Sequence, residues 1–218
     1  MPNFLQKTAF KIKLLFTDPR KFWAVIRGLW GHYFGPPSDT TLPRRLSTDL
    51  ECRVLGEFAA KARLGIIEIG VFDASTTKEF ATKTQVPIYG IDPIIPDSMG
   101  ERNVGNEVHI ENNMKFYKDF HFVKDFSYNA VKTWDKPFDF IFIDGDHTYE
   151  AVKQDFEDWF PLLAKGGIVA FHDSAPVTSI AAIFDGWPGP IQLVKELRSH
   201  AGLEYVSTND TLTAFRKL

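Results

Sequence analysis

The sequence predicts an α/β fold: an open, doubly wound, mostly parallel sheet of seven strands with an antiparallel C-terminal strand, preceded by a helical N-terminal arm. Three observations carry this. From about residue 47 onward, short and nearly continuous apolar runs alternate with helix-length segments, the pattern of a parallel sheet covered on both faces. Each apolar run ends in an acid or a glycine, where the chain has to turn. The last two runs are separated by Thr208-Asn209-Asp210, a hairpin signal that puts one antiparallel strand at the end of the sheet.

The elements follow in order. Residues 1–46 form a basic, aromatic arm: Lys7, Lys11, Lys13, Arg20, Lys21, Arg27, Arg44 and Arg45 oppose Asp18 and Asp39, amid Phe4, Phe10, Phe16, Phe22, Trp23, Trp30, Tyr33 and Phe34. Asp18-Pro19 is a helix start, and Gly35-Pro36-Pro37 stops what precedes it, so the arm reads as two short helices and a linker. Residues 47–218 form the main domain. Thr48 to Lys61 reads as a helix, Gly65 to Gly70 as the first strand, Ser75 to Thr84 as a helix and Val86 to Asp92 as the second strand. Phe120 to Val123 and Phe138 to Ile143 are the third and fourth strands. A helix from Tyr149 to Ala164 stops at Gly166-Gly167, a fifth strand spans Ile168 to Phe171, and a helix from Ile191 to Ser199 leads into strands at Leu203 to Val206 and Thr211 to Arg216. The polar stretch from Pro93 to Lys118 is expected to cover the substrate with a loop and a helix, and Ser174 to Pro190 to form the opposite wall.

Composition narrows the partners. At 218 residues, 44% hydrophobic and 24% charged, the chain suits one well-buried core plus an appendage. A formal charge of -3 argues against nucleic acid, which needs a broad basic face to neutralise phosphates. The single Cys52 excludes an intrachain disulfide and fits a reducing, cytoplasmic setting. No apolar run reaches the ~20 residues that span a bilayer, and Lys7, Lys11 and Lys13 interrupt the N-terminal hydrophobics. The arm's aromatics are expected to pack on the main domain or on a dimer partner, making a homo-oligomer; its basic character also allows peripheral contact with a membrane surface.

In open parallel sheets ligands bind beyond the carboxyl ends of the strands, so the residues just after each run carry the chemistry. After the first strand, Gly70 permits a close backbone approach, and the helix start with Ser75 and Thr76 is expected to seat an anion such as a carboxylate. The loop lacks both the Gly-x-Gly-x-x-Gly spacing and a Gly-Lys-Ser/Thr phosphate loop, which disfavours a pyrophosphate ligand. Asp92 ends the second strand 22 residues after Gly70, the placement of an acid that accepts from ribose hydroxyls. Asp125, Phe126 and Ser127 follow the third strand and offer a ring face and a polar edge to an adenine. Asp144, Asp146, His147, His172 and Asp173 gather around the ends of the fourth and fifth strands, a set that favours a cationic ligand or a metal.

Glu68-x-Gly70-x-Phe72-x-Ala74-x-Thr76, Tyr89-Gly90-Ile91-Asp92, Ile143-Asp144-Gly145-Asp146-His147-x-Tyr149 and His172-Asp173 resemble the class I, Rossmann-like S-adenosylmethionine-dependent methyltransferases. More narrowly they resemble the small-molecule O-methyltransferases related to macrocin O-methyltransferase and the cephalosporin-hydroxylase-like proteins, over roughly residues 50 to 218. The resemblance implies that Glu68, Gly70, Phe72 and Thr76 hold the methionine part of S-adenosyl-L-methionine, with Ser75 of the helix start beside them, Asp92 its ribose and Asp125 to Ser127 its adenine. It places Asp144 and Asp173 where metal-dependent relatives bind Mg²⁺, and His147 where they have the general base. Two positions depart from the pattern: Ala74 stands where many relatives have glycine, and His172-Asp173-Ser174 replaces the acidic or Asp-Asn pair that completes many metal sites.

The implied reaction is transfer of a methyl group to a hydroxyl of a small molecule or sugar. His147, with an ordinary pKa of about 6.5, would take the proton. Two other readings are kept: a noncatalytic adaptor docking on a membrane or glycan-assembly complex through the arm, and an NAD(P)-dependent oxidoreductase on a similar sheet.

Overall fold

The computed structural model of the protein describes residues 47–95, 107–176 and 186–218. The expected arm at 1–46, and parts of the two covering segments, lie outside the described residues. The element order is α1 (Asp49–Lys61), β1 (Ile66–Ile69), α2 (Ser75–Ala81), β2 (Ile88–Ile91), α3 (Glu107–Met114), β3 (Phe120–Val123), α4 (Ser127–Ala130), β4 (Phe140–Ile143), α5 (Tyr149–Trp159), β5 (Ile168–Phe171), α6 (Pro188–Leu197), β6 (Leu203–Asn209) and β7 (Leu212–Lys217).

The seven strands order as β3-β2-β1-β4-β5-β7-β6. Strands β1 to β5 pair in parallel, and β7 runs antiparallel to both neighbours. The final strand therefore inserts between β5 and β6, where the sequence places the antiparallel strand at the end of the sheet. The hairpin turn is Asp210-Thr211, one step later than expected, with Asp210 at a φ of 51°.

Successive side chains on each strand point to opposite faces, and the apolar runs fill both. Ile66, Phe140, Phe142 and Ala170 cluster with Leu55 and Phe58 of α1, Phe80 of α2 and Ile110 of α3. Ile67, Ile69, Ile141, Ile143, Val169 and Phe171 cluster with Val152, Phe156 and Trp159 of α5 and Leu193 and Leu197 of α6. β1 and β4 sit centrally and are buried along their whole length.

Local chemistry sets the helix ends. Thr48 and Glu51 form a capping box at the start of α1, with each side chain bonded to the other's backbone amide. Pro161 cannot continue the hydrogen-bond ladder, so α5 ends at Trp159 and tightens into a 3₁₀ turn at 160–162, short of the expected Ala164. Pro188 takes the first turn of α6, which starts three residues before the expected Ile191.

The strand order reverses between β1 and β4, since β1 continues outward to β2 and β4 to β5. That switch point opens a crevice at the carboxyl edge. Glu68 and Ile69 of β1 lie level with Phe142 and Ile143 of β4 there, so the loops after both strands emerge side by side.

Candidate active site

The loop after β1 is built on a close approach of two backbones. Gly70 has a φ of +89°, and a Cβ at this position would lie 2.1 Å from the carbonyl oxygen of Asp144. Phe72 and Ala74 follow at φ of 56° and 63°, and Ile94 after β2 and Asp173 after β5 sit at 53° and 50°. Four of the five non-glycine residues with positive φ among the described residues thus border one crevice. Such conformations cost about 1–3 kcal/mol each and cluster where a surrounding structure holds a site in shape. Ala74 is the left-handed N-cap of α2, a conformation that glycine would take without strain.

The loop's amides are held by the chain itself. Asp92 Oδ2 accepts from the amides of Val71 and Phe72, both at 2.9 Å, and its Oδ1 accepts from Ile94 at 2.7 Å. Asp73 Oδ1 accepts from the amide and hydroxyl of Ser75, at 2.9 and 2.6 Å. The expected seat for an anion is therefore occupied by internal carboxylates, and the crevice wall is acidic. Thr76 is half-buried, with its hydroxyl 3.4 Å from that of Ser47. Glu68 lies beneath the loop, 1% exposed and hydrogen-bonded to Thr77. Burial pushes its carboxyl well above the usual range, and the charges of Asp144, Asp92 and Asp73 add to this.

After β3, Asp125 Oδ1 accepts from Phe126 N at 2.7 Å and from Asn129 at 3.1 Å, fastening the start of α4. The Phe126 ring is 37% exposed and stacks on Tyr128. Ser127 donates to Asp155, a residue of α5 that is 6% exposed.

The ends of β4 and β5 bring together the strongest cluster. Asp144, His147 and Asp173 each present a ligand atom within 4.8 Å of the other two. His147 Nε2 lies 3.2 Å from Asp173 Oδ2 and 3.7 Å from Asp144 Oδ1. It is shielded from water and lacks the alignment of a hydrogen bond. Trp187 leans over the His147 ring with centroids 5.5 Å apart. His172, 6% exposed, has Nδ1 3.0 Å from Asp144 Oδ1 and Nε2 3.4 Å from Glu51 Oε2. Asp146 stands apart from this cluster and accepts from the amide of Thr148, the N-cap of α5.

Proton affinities follow from these contacts. Burial pushes the Asp144 carboxyl up, but His172 and His147 outweigh it and leave the group at about 2. Burial pulls His147 down, but the close carboxylates of Asp144 and Asp173 outweigh it and raise the imidazole to about 9. The ordinary value of about 6.5 assumed from sequence is thus corrected: without a competing cation, His147 is an imidazolium at neutral pH.

The structure gathers Gly70, Phe72, Asp92, Asp144, His147 and Asp173 at one edge, with Asp125 to Ser127 alongside. Sequence reasoning missed Glu51 and Asp155. Thr48-x-x-Glu51 signals a capping box, yet nothing local shows that Glu51 reaches a histidine 121 residues away. Asp155 faces Ser127 and the crevice floor at Gly145, and its burial raises the carboxyl from 3.8 to about 6.

That shift has a measurable sign. The folded-state pKa lies above the unfolded one, so ionising Asp155 opposes folding fully above pH 6, and the penalty fades as pH falls toward 4. Asp155→Asn removes the charge and keeps an acceptor for Ser127. Urea unfolding should show the variant more stable by about 3 kcal/mol at pH 8 and by under about 1 kcal/mol at pH 4. An equal gain at both values would mean that the carboxylate's burial is not the cause.

Comparison with known proteins bears on the family and the fold. Residues 67–174 match the family described as "Methyltransferase domain". Among curated relatives, an uncharacterized protein of Acanthamoeba polyphaga mimivirus is 28% identical over 123 residues, 52% of this chain and 52% of that protein. A Sinorhizobium fredii protein, y4gI, is 45% identical over 40 residues, 18% of this chain. The chain thus spans about half the length of the first relative and 4% of the second. Among solved structures, the O-methyltransferase of Bacillus cereus in complex with S-adenosylhomocysteine superposes with a TM-score of 0.60 at 13% identity, covering 91% of this chain and 100% of that one. The Streptomyces achromogenes O-methyltransferase TomG, involved in tomaymycin synthesis and in complex with S-adenosylmethionine, has a TM-score of 0.56 at 16% identity, covering 96% and 94%. No helix among the described residues is long and apolar enough to cross a membrane. The match over residues 67–174 gives this chain a methyltransferase domain, and the sheet order and structural likeness show the Rossmann-like methyltransferase fold.

Proposed function

We propose that this methyltransferase transfers its methyl group to a hydroxyl oxygen of a small molecule or sugar, with His147 as the base beside a divalent cation, Mg²⁺, on Asp144 and Asp173. The observation that carries this reading is the convergence of Asp144, His147 and Asp173 within 4.8 Å at the mouth of the crevice. Two converging carboxylates suit a small hard cation, and the neighbouring His147 Nε2, shielded and without a hydrogen bond, is left to take a proton. Structural relatives named as O-methyltransferases support oxygen as the acceptor atom.

Gly70 and Phe72, with Ser75 and Thr76 behind them, shape the pocket for the methionine end of the cofactor. Its ammonium and sulfonium are favoured by the acidic wall of Asp73, Asp92 and Asp144. Oδ2 of Asp92 is filled by two backbone amides, but Oδ1, with one backbone bond, retains a lone pair and can accept from a ribose hydroxyl. The exposed Phe126 ring offers the adenine a stacking face.

S-adenosylmethionine supplies an electrophilic methyl carbon with its leaving group already attached. A cation on Asp144 and Asp173 would supply Lewis-acid assistance to the acceptor hydroxyl and offset the carboxylate field that holds His147 protonated. As the acceptor oxygen bonds to the methyl carbon, its proton passes to His147 Nε2 and the C–S electron pair goes to sulfur. Trp187 limits where the imidazole can turn.

Calorimetric titration with S-adenosylhomocysteine, with and without Mg²⁺, and turnover on a panel of alcohols, phenols and sugars test this reading. Binding on the order of micromolar, and Mg²⁺-dependent turnover lost in His147→Gln, are expected. Cofactor binding without turnover on any hydroxyl would favour the adaptor. Absence of cofactor binding would overturn the proposal.

A further inference from the structure

We propose that His172 and Glu51 are positioning residues, a buried imidazole–carboxylate pair that fixes the Asp144 carboxylate in the orientation its cation requires. The inference rests on the cation reading above and adds two residues outside the crevice.

His172 cannot act on a substrate directly. Its ring is 6% exposed and packs edge-on against Phe142, with centroids 6.0 Å apart. Both ring nitrogens face carboxylates: Nδ1 lies 3.0 Å from Asp144 Oδ1 and Nε2 3.4 Å from Glu51 Oε2. The shortest of its contacts to the site is the one to Asp144; Asp173 Oδ2 lies farther, 3.8 Å from Nδ1. With one oxygen of Asp144 tethered, the direction of the other is set.

Glu51 anchors the imidazole rigidly. It is 1% exposed, and its two oxygens take the amide of Thr48 at 2.7 Å, the amide of Thr211 at 2.9 Å and the hydroxyl of Thr211 at 2.6 Å. Thr48 in turn donates to Asp210 at 2.8 Å. Helix α1, the β6–β7 turn and β5 thus converge on one imidazole. A buried polar cluster of this kind contributes little net stability compared with apolar packing. Residues behind a metal ligand, by contrast, tune it strongly, and their loss costs about 10–100-fold in metal affinity.

The test uses the full chain, with Mn²⁺ as an EPR-visible hard cation, S-adenosylhomocysteine calorimetry and thermal unfolding on the same preparations. His172→Phe fills the space and removes both bonds. It should weaken Mn²⁺ about 10–100-fold while S-adenosylhomocysteine binds within about threefold of wild type. His172→Asn restores a donor near the Nδ1 position and should recover most of the Mn²⁺ affinity, which a merely structural role does not predict. A folded His172→Phe that binds Mn²⁺ like wild type overturns the proposal and leaves the cation site standing. Should that variant not fold, Glu51→Gln decides: a loss of about tenfold supports the proposal, and unchanged affinity overturns it. Wild type that binds S-adenosylhomocysteine but not Mn²⁺ overturns the cation reading, and this inference with it.

Discussion

Asp144→Asn is expected to lower methyl transfer by about 10²–10⁴-fold, the range a positioned base contributes, because His147 acts beside the cation that Asp144 holds. The substitution keeps the side chain's shape, so packing at the β4 end is preserved and the loss reports charge. Asp144 lies 3.0 Å from His172, 3.7 Å from His147 and within reach of Asp173, so it serves the proposed cation and both imidazoles. Without its charge the site loses an anionic ligand, and any Mg²⁺ dependence of turnover should disappear. A second readout follows from the same charge. His147 is held at about 9 by two carboxylates, so removing one should lower its midpoint toward the ordinary value of about 6.5 in a metal-free NMR titration. Turnover within about tenfold of wild type, with the His147 midpoint unchanged, would remove Asp144 from the chemistry.

Gly70→Ala should be the most damaging single change to the fold at the crevice. A Cβ there would sit 2.1 Å from a backbone carbonyl oxygen and 2.9 Å from the Cα of Gly145, and neither atom can swing aside as a flexible side chain does. Left-handed strain of about 1–2 kcal/mol adds to an overpacking cost of about 1–3 kcal/mol. Together they consume much of a typical domain's margin of about 5–15 kcal/mol. A fall in Tm of about 10 °C is expected, with loss of cofactor binding as β1 and β4 are wedged apart. Gly166→Ala is the control, because Gly166 has a φ of +78° but open space around its Cβ position. It should show the backbone strain alone, about 1–2 kcal/mol. Equal effects at the two glycines would mean that the strand-end contact does not matter.

The strands were legible because a buried parallel strand has to be apolar on both faces, as in Ile66–Ile69, Phe140–Ile143 and Ile168–Phe171. The acids after them were legible as candidates because such sheets bind ligands at their carboxyl ends. Helix ends were less so: Pro161 and Pro188 set two boundaries that periodicity alone overran. The place of β7 was not legible either, since a hairpin signal says that two strands pair but not which of them meets β5.

By itself, then, the sequence determined the alternation of strands and helices, the parallel core and the identity of the acids at the crevice, because these depend on residue type and short spacing. The tertiary structure decided what those acids do. Asp92 and Asp73 turned inward to the loop's amides, His147 gained its proton affinity from carboxylates just beyond the ends of two separate strands, and Glu51 reached His172 from across the chain. Hydrogen bonds and Coulomb interactions act over a few ångströms of space, and only the folded chain brings residues so distant in sequence within that range.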